Sequence, residues 1–209
     1  MKHCTPVLIL SFSVALLFSC NNNNSDHSAN ANPDQKNTDS TSKQVIKKTP
    51  PPRLSLGTID SGGRTDYHIA TPQGWTKKTD TVVSGGRFVR LVAPLENNAD
   101  KFPENINVIT EKLLKPDLAS YYQSGKKGML RNMPGVIFQG EGDTVINKIP
   151  AKWLKCIFAG KDYVTYKVLM YLLTKNGYGY VITCTSVDPG FDNYEKVFKA
   201  AAGSFKIDE

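Results

Sequence analysis

The sequence predicts an α+β domain with a central, mainly antiparallel sheet of about six or seven strands. Apolar, β-branched runs recur in the second half of the chain, two other segments have helical periodicity, and the links between successive strands are too short for parallel crossovers. The runs 153–158 and 168–173 are apolar on both faces. Helices and long loops are therefore expected to cover both sides of the sheet.

Residues 1–19 are typical of a bacterial lipoprotein signal peptide. The apolar run 6–18 covers roughly 20 Å at about 1.5 Å per residue, which is too short for a hydrocarbon layer about 30 Å thick. It ends in Leu17-Phe18-Ser19-Cys20, which resembles a lipobox, the motif whose cysteine is acylated and becomes the first residue of the mature chain. We therefore predict lipidation of Cys20. An ordinary secretory signal cut elsewhere is the alternative.

Residues 20–53 are expected to form a lipid-anchored flexible tether, and residues 54–209 a single domain. The tether is rich in Asn, Ser, Thr, Asp, Lys and Pro and cannot bury enough apolar surface to order itself. A flexible chain of this length reaches roughly 31 Å. Asn21, in place of aspartate after the cysteine, resembles known sorting signals for the outer membrane. The expected location is the bacterial cell envelope, lipid-anchored and facing the periplasm.

The formal net charge is +7, and the basic excess is spread along the chain. One cluster, Lys126, Lys127 and Arg131, is either a solvated helix face or a contact for anionic lipid headgroups. Nucleic acid is not an expected partner, because an exported protein does not routinely meet it and no binding motif is present. The expected partners are the membrane, through the lipid on Cys20, and an envelope protein.

Three strands and a helix are predicted over the first part of the domain. The strands are 66–71, 86–92 after a glycine turn, and 106–113. The helix spans 117–131, with a Pro-Asp start and a Pro-Gly end. Its apolar positions are Leu118, Tyr122, Met129 and Met133. Gly125 and Gly128 weaken it by about 1 kcal/mol each relative to alanine.

A meander of strands is predicted next. Its segments are 136–140, 145–158 with a break at Asn147-Lys148, 163–174 and 178–187. Asn176-Gly177 supplies the positive backbone angles that a tight hairpin requires. Gly140-Glu141-Gly142 has the composition of a phosphate loop but leads into a strand, so we interpret it as a hairpin turn.

The last predicted element is an amphipathic helix. Asp188 is expected to cap it, Pro189 to occupy its first position and Gly203 to close it. One apolar stripe comprises Phe191, Tyr194, Val197, Phe198 and Ala201.

The segment Tyr67-His68-Ile69-Ala70-Thr71-Pro72-Gln73-Gly74-Trp75, together with the order of elements, resembles the PsbP-like family over residues 54–207. The resemblance implies an α/β/α sandwich. Members of that family bind other proteins and are not known to share a chemistry, so it implies no catalytic residue and no cofactor. Positions 67, 69, 72, 74 and 75 match a structural signature, and the photosystem role of the namesake is not transferred.

Candidate chemistry is sparse because His68 is the one histidine of the predicted domain. Cys156, Cys184 and His68 would be an incomplete zinc set. Asp188, Asp192 and Glu195 lack the spacing of a calcium loop. No serine or cysteine sits in a nucleophile-elbow motif, so a histidine packed on the sheet is favoured over a catalytic one. We expect no metal and no cofactor.

The two domain cysteines are predicted to stay unpaired. A two-residue turn at Asn176-Gly177 places Cys184 opposite Leu169, with Cys156 one strand further away. Two strand spacings are about 9.6 Å, more than the roughly 7 Å that a disulfide spans between α-carbons. Both thiols are therefore expected to be buried.

Three functions remain open from the sequence. The first is a non-catalytic protein-binding or scaffolding module, the second a hydrolase-like enzyme using His68, and the third a carrier of a small apolar ligand. A set of meander tyrosines is either core or a binding face, with core packing favoured. The set comprises Tyr163, Tyr166, Tyr171, Tyr178 and Tyr180.

Overall fold

The computed structural model describes residues 67–83, 86–97, 100, 102–160 and 163–208. The signal peptide 1–19, Cys20 and the tether 20–53 lie outside the described residues, so those expectations stay predictions. The strands are β1 (Tyr67–His68), β2 (Thr76–Val83), β3 (Gly86–Val92), β4 (Asn105–Lys112), β5 (Ile137–Ile146), β6 (Ile149–Ala159), β7 (Thr165–Lys175), β8 (Tyr178–Val187) and β9 (Lys206–Ile207). The helices are α1 (Leu118–Asn132) and α2 (Phe191–Gly203), the latter preceded by a 3-10 turn over Asp188–Gly190.

Seven strands form one antiparallel sheet in the order β2-β3-β4-β8-β7-β6-β5. It consists of two meanders, β2 to β4 and β5 to β8, joined where β4 pairs with β8. The turn at Asn176-Gly177 has φ angles of 54° and 82°, as its sequence predicts. β1 and β9 form a separate two-stranded ladder. The α+β class and the antiparallel sheet are therefore confirmed.

The two helices cover opposite faces of the sheet. Tyr180, Ile182 and Cys184 of β8 belong to the apolar core that contains the buried stripe of α2. Gly179 points to the other face, where a Cβ atom on it would meet the ring of Tyr121 in α1. The predicted stripe of α2 is buried throughout. Among the described residues, no helix is long and apolar enough to cross a membrane.

Helix α1 begins as predicted. Asp117 is its N-cap and accepts a hydrogen bond from the backbone N–H of Ser120 at 2.7 Å. Gly125 and Gly128 are buried. These glycines reduce the helix propensity of α1. Because they have no side chain, they also allow the buried side of α1 to pack closely.

Four sequence expectations for the secondary structure are corrected. The first strand is only β1, paired with β9 and not with the sheet. β2 was not predicted, because Thr76–Val83 begins with mostly polar residues and forms an edge strand with a bulge. The hairpin turn lies at Asn147-Lys148, with φ angles of 45° and 68°, whereas Gly140 to Gly142 lie within β5.

The fourth correction concerns the start of the last helix. Gly190 holds the N-cap position of α2, and no side chain caps it. The carboxylate of Asp188 lies 3.0 Å from Nζ of Lys167 on β7. The 3-10 turn intervenes between Asp188 and the helix, so the aspartate pairs with the sheet instead of capping the helix.

Candidate functional site

The strongest candidate is a row of polar side chains on the sheet face that carries α1. We call it the polar strip, and it comprises Arg90, Asn105, Asn107, Thr183 and Thr185. Asn107 lies between Arg90 and Thr183 in the ladder, and Asn105 lies opposite Thr185. Their chain neighbours Leu91, Ile106 and Cys184 belong to the core on the α2 side. The alternation of side chains therefore directs the strip to the other face.

Two acceptors in the polar strip lack hydrogen bonds. Nδ2 of Asn107 donates to Oδ1 of Asn105 at 3.0 Å, and Nδ2 of Asn105 donates to the carbonyl oxygen of Pro103 at 3.3 Å. Oδ1 of Asn107 and Oγ1 of Thr185 are buried without a hydrogen-bond partner within the part of the chain that the structure describes. An unsatisfied buried polar group costs about 1–3 kcal/mol, so such groups call for an explanation.

Arg90 places a cation at the margin of the polar strip. Burial lowers the pKa of its guanidinium, yet a guanidinium remains charged in proteins. It offers planar donors beside the asparagine and threonine side chains. The strip can therefore donate to a carbonyl or carboxylate group and accept from an amide or hydroxyl group. It contains no side chain that titrates near neutral pH.

His68 contacts a carboxylate and is not part of a recognisable catalytic set. Its Nε2 lies 2.8 Å from Oδ2 of Asp208, beside the β1–β9 ladder. The hydroxyl of Ser204 accepts from the backbone N–H of Ala70 at 2.9 Å and donates to the carbonyl of Ala201 at 2.6 Å. That hydroxyl is therefore occupied by the backbone. Across the described ranges, no group of three His, Cys, Asp or Glu residues could hold a metal ion.

The two cysteines are unpaired and buried. Cys184 lies opposite Leu169, as predicted, while Cys156 lies opposite Val168 on the other side of β7. Adjacent positions on β7 face opposite sides of the sheet, so the two thiols do too. Burial raises the pKa of Cys156 to about 12 and also raises that of Cys184. Neither thiol is poised to react.

The meander tyrosines do not form one binding face. Tyr166, Tyr171 and Tyr180 are buried, whereas Tyr178 is half-buried and Tyr163 is 93% exposed. Core packing is therefore the correct interpretation for three of the set.

The basic cluster on α1 is partly neutralised. Nζ of Lys126 lies 2.5 Å from Oε2 of Glu141 and 4.9 Å from the centroid of the Phe138 ring. Lys127 and Arg131 are exposed. This pattern fits a solvated helix face better than a concentrated lipid contact.

Sequence reasoning missed the polar strip, although a signal was present. Asparagine is depleted in strands, and Asn105 and Asn107 are two residues apart in a segment that alternates as a strand. That spacing puts both amides on one face.

Two solved structures share this fold. LpqN of Mycobacterium tuberculosis, described as involved in cell envelope biogenesis, has a TM-score of 0.57 and 17% identity over 71% of this chain and 87% of its own. The cyanobacterial PsbP of Synechocystis sp. PCC 6803 has a TM-score of 0.52 and 17% identity over 73% of this chain and 99% of its own. The fold is therefore PsbP-like, with an α/β/α arrangement. No described protein family and no curated protein matches the sequence.

Proposed function

We propose that this protein is a cell-envelope lipoprotein, anchored on the outer membrane through acylated Cys20 and facing the periplasm. Its PsbP-like domain acts as a non-catalytic binding or scaffolding module for an envelope protein. The observation that carries the binding role is the pair of unsatisfied acceptors in the polar strip, Oδ1 of Asn107 and Oγ1 of Thr185.

The chemistry of the strip supports recognition. Both acceptors are buried, so a donor group of a partner reaches them only when the side chains around them open, and each hydrogen bond formed there would then remove a cost of about 1–3 kcal/mol. The positive charge of half-buried Arg90 at the margin of the strip favours a carbonyl or carboxylate group of that partner. Amides and hydroxyls of this kind fix orientation but do not supply a nucleophile or a general base. The chemistry of the strip therefore supports binding better than it supports catalysis.

The fold adds support of a different kind. LpqN, with the same fold, is described as involved in cell envelope biogenesis, which fits a protein with a lipobox. The two alternatives have less support. His68 pairs with Asp208, and the hydroxyl of nearby Ser204 serves the backbone. An apolar carrier would not need a row of amides and a guanidinium on its sheet face.

The test compares stability with partner capture. Thr185→Val keeps the side-chain shape and removes an unsatisfied hydroxyl, so the domain should become more stable by about 1 kcal/mol. In-cell crosslinking of the same variant should nevertheless recover less of the partner. Thr144→Val is the matched control. Thr144 lies on β5 and faces the α2 side of the sheet, away from the polar strip, so this change should leave capture unchanged. Thr185→Val with capture at the wild-type level would contradict a binding role for the strip.

A further inference from the structure

We propose that one end of the sheet docks against an anionic lipid surface. This end, the Leu114 tip, comprises residues 112–116 between β4 and α1 together with the β7–β8 turn, residues 175–178. The backbone N–H of Leu113 donates to the carbonyl of Gly177 at 2.8 Å, and Oγ1 of Thr174 donates to the carbonyl of Pro116 at 3.2 Å. The two segments are therefore held together as one surface.

The tip combines an exposed apolar side chain with several cations. Leu114 is 88% exposed. Lys112 and Lys115 flank it in sequence and are also exposed. Lys112 and Lys175 both lie opposite Tyr178, one on each side of β8, which puts their strands about 9.6 Å apart. An apolar side chain among lysines matches a membrane interface, because the leucine enters the acyl boundary while the lysines contact phosphate groups.

Two acidic side chains lie beside these lysines, Asp117 at the start of α1 and the half-buried Glu111. Asp117 accepts a hydrogen bond from the backbone N–H of Ser120 at the start of α1. Glu111 accepts a hydrogen bond from the hydroxyl of Tyr121 at 2.7 Å, and burial raises its pKa. Burial of Glu111 therefore disfavours a negative charge beside the lysines.

The opposite end of the sheet carries acidic residues. They lie between β3 and β4, and around the connection from β8 to α2. These residues are Glu96, Asp100 and the buried Glu104 between the strands, and Asp188 and Asp192 after β8, which lie 3.0 and 4.0 Å from Nζ of Lys167. An anionic surface would therefore attract the Leu114 tip and repel the other end.

The position where the chain enters the fold gives a second, independent argument. Tyr67 pairs with Ile207, and its ring centroid lies 6.2 Å from that of Tyr180, two residues beyond Tyr178. Tyr67, the first described residue, therefore lies at the end that carries the Leu114 tip. This argument rests on the proposed anchor, since only a lipid on Cys20 would place that end toward a membrane. The exposed leucine and the lysines do not depend on the anchor.

The experiment uses the expected mature chain, residues 20–209, with Cys20→Ser, so that neither the apolar signal segment nor a lipid is present. A tryptophan replaces Leu114, or Leu130 as the matched control, because Leu130 is an exposed leucine on α1. Each protein is mixed with vesicles of phosphatidylcholine alone or of equimolar phosphatidylcholine and phosphatidylglycerol carrying brominated acyl chains. We expect extra quenching for Leu114→Trp only, only with the anionic vesicles, and its loss when salt shortens the Debye length.

A second measurement tests the lysines. Replacing Lys112 and Lys115 together by glutamine should lower partitioning onto the anionic vesicles about twenty-five-fold, at about fivefold for each charge. Lys78 and Lys196, exposed elsewhere, are the equal-charge control. Equal quenching at positions 114 and 130, quenching that persists in pure phosphatidylcholine, or equal loss in both lysine pairs would overturn the proposal. Because the chain carries no lipid, these outcomes are separate from failure of the Cys20 anchor.

Discussion

Arg87 and Asp80 form a forked ion pair across the β2–β3 hairpin. Nε of the arginine lies 2.7 Å from Oδ1 of the aspartate, and Nη2 lies 2.6 Å from Oδ2. Nη1 donates to the carbonyl oxygen of Tyr67 at 3.0 Å, and the guanidinium lies 4.9 Å from the centroid of the tyrosine ring. The side chain of Arg87 is only 7% exposed. One side chain therefore attaches β1 to the main sheet.

Arg87→Lys should destabilise the domain by about 1–3 kcal/mol, because an ammonium group cannot reproduce the fork and the third bond together. Chemical unfolding followed by circular dichroism measures the change. Lys78→Arg on β2 is the control and should stay within about 0.5 kcal/mol of the parent. An unchanged unfolding midpoint for Arg87→Lys would show that the fork contributes nothing to stability.

Glu104 should make the domain less stable as the pH rises. Its Oε1 accepts a hydrogen bond from Ser186 at 3.1 Å, its Oε2 is buried, and desolvation raises its pKa. A carboxyl whose folded pKa is raised contributes stability below its unfolded pKa, about 4.3, and loses it as the pH rises through the folded value. Glu104→Gln should therefore gain stability relative to the parent between pH about 4 and about 7.

Glu141→Gln is the control of opposite sign. Lys126 and Tyr122 lower the pKa of Glu141, so its contribution is present above the unfolded pKa and is lost as the pH falls through the folded one. The measurement is the unfolding free energy of the parent and both variants across this range. Parallel pH profiles for the parent and Glu104→Gln would contradict the burial of a charge at this position.

Gly179→Ala should cost about 1–3 kcal/mol through overpacking. Its new Cβ would collide with the ring of Tyr121, whose hydroxyl is held by Glu111. Gly203→Ala is the control, since nothing lies within 4 Å of a Cβ there and alanine favours the helix. Thermal unfolding of both variants checks the difference, and an equal effect in the two would argue against close packing of α1 on β8.

Cys156 and Cys184 should resist alkylation in the folded protein and react once it is unfolded. Both are buried, and burial raises the pKa of each thiol, so little thiolate is available. Mass spectrometry after iodoacetamide treatment, with and without denaturant, gives the readout. A 156–184 bridge in a non-reducing peptide map would be incompatible with the strand order.

Cys20→Ala should release the protein from the membrane fraction, because the lipid expected on Cys20 would be its stable anchor. Fractionation with detection of the chain tests this, and the intact mass of the parent tests for the lipid. Retention of Cys20→Ala in the membrane together with an unmodified parent mass would refute the lipoprotein assignment.

The strand pattern of the second meander could be predicted because its physical signals agree. The turn at Asn176-Gly177 sets the register that pairs Cys184 with Leu169, and the flanking runs are apolar on both faces. β2 could not be predicted because Thr76–Val83 lies at the edge of the sheet. A strand there does not need the alternation of apolar and polar residues that marks a half-buried strand.

Two local signals were ambiguous in sequence. The glycines at positions 140 and 142 favour a turn in sequence, yet they make room for the indole of Trp153, whose Nε1 would lie 2.8 Å from a Cβ on Gly142. Asp188 has the chemistry of a helix cap, but Lys167 on a distant strand takes its carboxylate. The polar strip forms only because β3, β4 and β8 are neighbours in the sheet. The sequence of one strand alone does not show which strands will be its neighbours.

The strand order also determines how the chain can reach its native state. Each meander closes through short turns, so its hairpins need only local encounters. The seam between β4 and β8 pairs Ile106 with Cys184, so a long loop must close before those bonds contribute. We therefore expect the seam to form later than the hairpins. A chain that is synthesised from its N-terminus leaves the edge of β4 open until β8 emerges, and this interval is when it is most exposed to aggregation.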